Sequence, residues 1–425
     1  MISITALSRT LHALIPLLAL PAALHGEPSH SSINPVESLK NWIAEATNPD
    51  LAALPSSWAN IPLNRPEAEE IASLLWDTSR QSLAMQRAAE LEQGEVTIGD
   101  HTLRLLERSF GDAPDGRKSL WISMHGGGGA PAAVNDQQWQ NQIRLYEPEE
   151  GIVVAPRAPT DHWNLWHEPH MDPLLARLIE DYVVLRGVDP DRVYLMGYSA
   201  GGDGAYQLAP RMADRFAAAA MMAGHPNDAS PLGLRNLPFA IFVGGKDSAF
   251  HRNTVAVEWS EKLDALAEAD PNGYPHMLRV YPEAGHWMNQ QDREALPWMA
   301  AHTRNPWPQT VVWHQSTVTH TRFYWLALPA DLRPQPGSTV RAQVNGQEIR
   351  IESDLPQLSL RLSDQLLDLD QPVRIIWNHQ PVFEGRVDRS TQAIADSLVQ
   401  RADPTSIATA ILHVTRPTAP PGEPS

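Results

Sequence analysis

The chain has 425 residues, no cysteine and a formal net charge of -17 at pH 7. That length predicts two or three domains at roughly 100 to 200 residues each. An acid excess of this size argues against nucleic acid as a partner, and without cysteine there is neither a disulfide nor a thiolate to act as nucleophile or metal ligand.

Residues 1–26, MISITALSRTLHALIPLLALPAALHG, carry one basic residue (Arg9), no acid, and an apolar stretch from Leu14 to Leu20 followed by small residues. This reads as a secretory signal segment cleaved between Ala22 and Gly26, which predicts a secreted or periplasmic protein and no membrane span after cleavage. The apolar run is interrupted by Pro16 and Pro21 and is shorter than the roughly 20 residues that cross a bilayer. Removing the segment takes away only Arg9, so the charge becomes -17 - 1 = -18.

Residues 27–94 read as a helical lead-in. Asn34 with Pro35, and Asn64 with Pro66, have the residue types that start helices, and Gly94 has the type that ends one. From 95 to 308 the pattern changes to short apolar strands alternating with amphipathic helices. After two strands around Gly99 and Asp100, the strands fall in SLWISMHG, GIVVAPR, RVYLMG, AAAAMMAG, FAIFVGG and MLRVYPE. Such alternation predicts an α/β fold with a mostly parallel central sheet covered on both faces. Pro306 and Pro308 around Trp307 read as a linker. Residues 309–415 then alternate apolar and polar positions, with a hairpin signal at Asn345–Gly346, and predict a small β-rich domain with an antiparallel sheet. Residues 416–425 are rich in proline and predict a disordered tail.

The chemistry concentrates in YLMGYSAGGDGAY, where Gly197, Ser199 and Gly201 fit G-x-S-x-G between a strand and a helix. A nucleophile on so sharp a turn needs small neighbours, and the following helix N-terminus favours developing negative charge. A serine hydroxyl needs a base, oriented in turn by a carboxylate. Asp247, in GGKD after one strand, and His286, in AGHW after the next, supply them in the order Ser, Asp, His, with Asp264 and Glu283 as fallback acids. His125 precedes the run Gly126 to Gly129, whose unobstructed backbone can donate to an oxyanion, with Gly127 as the second donor beside Ala200. The loop DHWNLWHEPHMD gathers His162, His167, His170, Trp163, Trp166, Asp161 and Glu168. Its H-E-P-H lacks the i, i+4 spacing of a helical zinc pair, so no metal is assigned. Trp163 and Trp166, with His125 and Tyr198, are expected to line the substrate pocket.

These motifs, HGGGG, GYSAGG, GGKD and AGHW in that order from about Glu95 to Trp307, resemble the α/β-hydrolase superfamily. The likeness is to its secreted esterase branch of polyhydroxybutyrate depolymerases, feruloyl esterases, and dienelactone-hydrolase or prolyl-oligopeptidase-type domains. The resemblance implies a covalent acyl-enzyme mechanism without a cofactor, acting on a small-molecule or polymeric ester. Prolyl-oligopeptidase-type peptidases carry a large propeller before the catalytic domain, which the roughly 70 residues here cannot build. Peptide hydrolysis is therefore the rival activity, and a non-catalytic binding protein on the same scaffold is the rival class. The β-rich domain is similar to extensions on bacterial members. It is expected either to bind polymer or carbohydrate or to cover an apolar face of the hydrolase, the second being favoured because no aromatic triplet marks a binding face.

Overall fold

The computed structural model describes residues 33–46, 49–113 and 115–417. The expected signal segment, and all but Arg416 and Pro417 of the expected tail, lie outside the described residues.

Three helices lead: α1 (Pro35–Glu45), α2 (Ser56–Ala59) and α3 (Arg65–Gln93). The Asn34 carboxamide oxygen accepts from the Val36 and Glu37 N–H groups, and Asn64 and Glu67 form a reciprocal capping box. Gly94 ends α3 at φ 68°, a left-handed conformation that glycine adopts without strain.

The central sheet follows, with strands β1 (Glu95–Ile98), β2 (His101–Phe110), β3 (Leu120–Met124), β4 (Gly151–Arg157), β5 (Val193–Tyr198), β6 (Ala218–Met222), β7 (Phe239–Gly244) and β8 (His276–Tyr281). Their spatial order is β1-β2-β4-β3-β5-β6-β7-β8. β1 and β2 are antiparallel at one edge, and the six from β4 to β8 run parallel. Alternate side chains point to opposite faces. Ile122, Leu195, Met221 and Ile241 enter one core, whereas Trp121, Met196, Ala220 and Phe242 enter the other. Helices α4 (Ala132–Gln142) and α8 (Ala295–Ala300) help cover the second face through Trp139, Leu296 and Met299. The first is covered by α5 (Met171–Arg186), α6 (Ala200–Arg211) and α7 (Arg252–Ala269).

The C-terminal part contains two sheets. The larger has the order β16-β15-β13-β12-β9 and the smaller β10-β11-β14-β17. Their strands are β9 (Thr310–His314), β10 (Arg322–Phe323), β11 (Leu326–Ala327), β12 (Thr339–Asn345), β13 (Glu348–Ser353), β14 (Gln357–Leu362), β15 (Val373–Trp377), β16 (Gln380–Gly385) and β17 (Ala410–Thr415). The wholly antiparallel expectation needs correction, because β13 and β15 pair in parallel. Between them the chain leaves to form β14 in the other sheet, so it re-enters in the same direction. The segment around Trp307 is not a free linker either. Its ring is buried and its Nε1–H donates to the Thr405 carbonyl at 3.0 Å. Helix α9 (Thr391–Gln400) places Ile394 and Leu398 against Leu39, Ile71 and Leu75 of the lead-in, joining both ends of the chain in a third core.

Candidate active site

Ser199 stands between β5 and α6 with φ 57° and ψ -118°, a backbone region that strongly penalises a side chain. The turn persists because its flanks are empty. A Cβ on Gly197 would lie 2.0 Å from the Gly201 carbonyl oxygen, and one on Gly201 would lie 2.1 Å from that of Met124. The Ser199 N–H donates to the Met222 carbonyl at 2.9 Å, which pins the turn to the neighbouring strand.

Three groups from three loops meet here. His286 Nε2 is 2.9 Å from Ser199 Oγ, and its Nδ1 is 2.7 Å from Asp247 Oδ2. With the carboxylate as acceptor, Nδ1 carries the proton and Nε2 is free to accept from the serine hydroxyl. Asp247 is buried, and beyond the imidazole the Arg252 guanidinium approaches its second oxygen at 3.9 Å. The Tyr198 hydroxyl donates to the His286 carbonyl at 2.7 Å and accepts from the Met288 N–H at 3.0 Å, fixing the histidine loop. Neither fallback acid is near: Asp264 faces His276 at 3.1 Å, and Glu283 pairs with Lys246.

Gly127, Gly128 and Gly129 all have positive φ (106°, 79° and 61°). Their path is held by Asn135, a residue to which no local sequence signal points. Its Oδ1 accepts from the Gly128 N–H at 2.9 Å, and its Nδ2 donates to Ala130 O at 3.0 Å and Asp161 Oδ1 at 2.8 Å. A Cβ on Gly127 would strike that Oδ1 at 2.1 Å. Gly127 and Ala200 border the same cavity as Ser199. Ala200 opens α6, where backbone N–H groups lack helical partners.

Two cavities meet at Ser199. One, of about 390 Å³, is walled by Gly127, Trp163, Asp203, His225, Phe250 and Arg252. The other, of about 510 Å³, is walled by Val134, Gln138, Tyr198, His286, Trp287 and Gln290 among others. Trp163, Phe250 and Trp287 are exposed at the mouths; Phe250 lies outside the quoted motifs, and Trp287 closes AGHW without having been assigned to the pocket. The Arg252 guanidinium lies over the Phe250 ring at 4.9 Å. Burial pushes the Asp203 carboxyl up to about 6, against the lowering effect of the His225 N–H that donates to it at 2.6 Å.

Trp166 and His125 need correction as pocket residues. Both are fully buried, and the Trp166 Nε1–H donates to the His125 carbonyl at 2.9 Å beneath the glycine loop. His125 Nδ1 is 2.6 Å from Gly126 O, and its Nε2 accepts from the Ala158 N–H at 3.2 Å. Glu168 ties part of this loop together, bonding to His162 at 2.9 Å and accepting from the Thr160 hydroxyl at 2.6 Å, while the His167 carbonyl accepts from Arg211 at 3.3 Å. Among the described residues no cluster of three or more His, Cys, Asp or Glu is arranged to hold a metal. Nor is any described helix long and apolar enough to cross a membrane.

Residues 151–318 match the dienelactone hydrolase family. Three solved structures are similar at low identity. A thermostable esterase is 20% identical, with 49% of this chain matching 62% of that one at TM-score 0.36. A poly(3-hydroxybutyrate) depolymerase from Bordetella parapertussis is 19% identical, with 52% of this chain matching 96% of that one at TM-score 0.38. A carboxylesterase from Mesorhizobium loti is 16% identical, with 49% matching 99% at TM-score 0.34. No curated protein matches the chain. The strand order and the strained serine turn after β5 give the chain the α/β-hydrolase fold, and it is within this fold that residues 151–318 match the dienelactone hydrolase family.

Proposed function

We propose that the protein hydrolyses carboxylic esters through an acyl-enzyme on Ser199. The observation that carries this reading is the continuous hydrogen-bond chain from Ser199 Oγ through His286 to Asp247, at 2.9 and 2.7 Å. His286 Nε2 takes the hydroxyl proton as Oγ attacks the carbonyl, and returns it to the leaving alcohol. Water then attacks the acyl carbon as His286 Nε2 takes its proton, and the bond to Oγ breaks as that proton passes to Oγ, releasing the acid and restoring Ser199. Asp247 holds the imidazole in the Nδ1–H tautomer and stabilises the imidazolium. The Gly127 and Ala200 N–H groups receive the oxyanion, a pair of interactions each contributing about 3 kcal/mol to the barrier reduction. The two cavities on either side of Ser199 suit the acyl and alcohol parts of a small-molecule or polymeric ester. Their exposed aromatic rims favour an apolar or aryl group in at least one of them.

Ser199→Ala is expected to lower turnover of p-nitrophenyl acetate and butyrate by roughly 10⁴-fold or more; wild-type turnover in this variant would overturn the assignment. Chromogenic peptides run beside the esters separate the two activities: turnover of esters and not of peptides is expected, and peptide turnover at a comparable rate would favour the peptidase reading. A fluorophosphonate probe that leaves Ser199 unlabelled would favour a binding protein. Export with removal of residues 1–26 belongs to the same proposal, and N-terminal sequencing of protein recovered outside the cytoplasm tests it.

A further inference from the structure

Where α6 ends and the C-terminal sheets dock lies a third cavity, of about 520 Å³. Its wall includes Asp172, Asp214, Arg215, Thr319, His320 and Arg401. The seam around it is crowded with guanidinium groups: those of Arg215, Arg304 and Arg361 are buried, and those of Arg322 and Arg401 partly so. Among the described residues, direct ion pairs reach three of these five. Arg304 takes Asp191 and Asp403, each at 2.8 Å, and Arg401 takes Asp214 at 2.7 Å. Arg215 donates to the Ala176 carbonyl at 3.4 Å, and its one carboxylate partner among the described residues is Glu180 at 3.8 Å, which already pairs with Arg87 at 3.2 Å.

Among the described residues no carboxylate pairs with Arg322 or Arg361. Arg361 is held by neutral partners, Gln400 at 2.9 Å and Ser397 at 2.6 Å. In Arg322 the Nε and Nη1 atoms are buried without any hydrogen-bond partner. A guanidinium cannot shed its proton at any physiological pH, so the charges of Arg322 and Arg361 must be met by something other than deprotonation. Burial and the Arg401 charge together push Arg215 and Arg361 down to about 10, and Arg322 further below its ordinary value. The two acids on the wall do not oppose an anion with free charge. Asp172 is held by Arg211 at 2.5 Å and His320 at 2.7 Å, and Asp214 by Arg401 and the Tyr324 N–H.

We propose that this seam cavity is a binding site for a small oxyanion, gripped by Arg215 and Arg401 and electrostatically backed by Arg322. Phosphate, sulfate and the carboxylate of an organic acid share the required chemistry, a compact charged acceptor able to bridge two guanidinium forks. The site lies at the opposite end of α6 from Ser199 and stands independently of the ester reading. Occupation would neutralise the charge that β10 and α9 bring against the hydrolase, so the bound anion would tighten the junction.

Titration calorimetry of the whole chain with sodium phosphate, sodium sulfate and sodium succinate, each in sodium chloride at matched ionic strength, tests it. Saturable binding of one anion per chain is expected, weakened at least tenfold in Arg215→Gln. A preference for succinate would point to an organic acid, and one for phosphate or sulfate to the inorganic ion. Ester turnover of Arg215→Gln within twofold of wild type shows that the variant is folded. No saturable heat with any of the three, or equal affinity in the variant, overturns the proposal. Should the variant not fold, crystals of the wild-type protein soaked in selenate decide: an anomalous peak between Arg215 and Arg401 supports the site, and none there overturns it.

Discussion

Protonating His125 would place a proton on Nε2, where the Ala158 N–H already donates at 3.2 Å, in a side chain with no exposure. Burial pushes the ring down to about 4, against the raising effect of its bond to the Gly126 carbonyl. In the unfolded chain the ring titrates near 6.5. Between those values the unfolded state binds a proton that the folded state refuses, so the contribution is complete above pH 6.5 and is lost as pH falls toward 4. A shift of that size corresponds to about 3 kcal/mol. Urea unfolding of the wild type should therefore weaken steeply across this window, and His125→Gln should show a shallower slope; identical slopes would refute the assignment. This residue also marks a limit of sequence reading. The order of Ser199, Asp247 and His286 was legible because each lies in a short motif after a strand. His125 and Trp166 looked like pocket residues because their motif neighbours are. Whether a ring turns outward or packs beneath the loop depends on chain from other strands, such as the Ala158 N–H, and one motif cannot contain that information.

At the scale of elements, the strands and helices of the hydrolase unit were readable from apolar runs and their spacing, and the caps of α1 and α3 from single residues. The glycine loop was readable as permissive, but its shape was not. Four glycines have wide freedom, and Asn135 on α4 removes it by bonding Gly128, Ala130 and Asp161 together. Asn135→Ala should thus leave the serine, histidine and acid in place while loosening the loop that carries the Gly127 donor. A misplacement of about 1 Å near the reacting atoms can cost roughly 100-fold. The expected result is a fall in kcat of about ten- to a hundredfold with KM changed less than threefold, and undiminished fluorophosphonate labelling at saturating probe. An unchanged kcat would show that the loop holds its path without Asn135. The parallel pairing of β13 with β15 escaped detection for a related reason: alternation specifies which face is buried, and strand direction depends on where the intervening β14 goes.

For the molecule as a whole, the decisive fact is that the hydrolase and the C-terminal sheets share one core. Trp313, Phe323, Trp325 and Leu326 pack in the same continuous cluster as Leu195, Met221 and Phe239. Trp313, Trp325 and Trp377 are buried, which removes three aromatic side chains from any polymer-binding face and supports the covering role. Polar contacts reinforce the junction, for the buried Arg304 guanidinium bridges Asp191 of the hydrolase to Asp403 beyond α9. Removing a large buried aromatic costs about 3 to 5 kcal/mol, and a whole domain is typically stable by only about 5 to 15 kcal/mol. Losing three such rings, Trp313, Phe323 and Trp325, would by itself consume most or all of that margin. A chain ending at Pro308 should accordingly fail to fold: insoluble or without a cooperative thermal transition, and without ester turnover. The full-length protein should unfold in a single transition, reported at the same temperature by tryptophan fluorescence and by far-ultraviolet circular dichroism. A soluble, active, cooperatively melting truncation would show instead that the hydrolase is complete without its C-terminal sheets and that the common core is a docking surface between two independent folds.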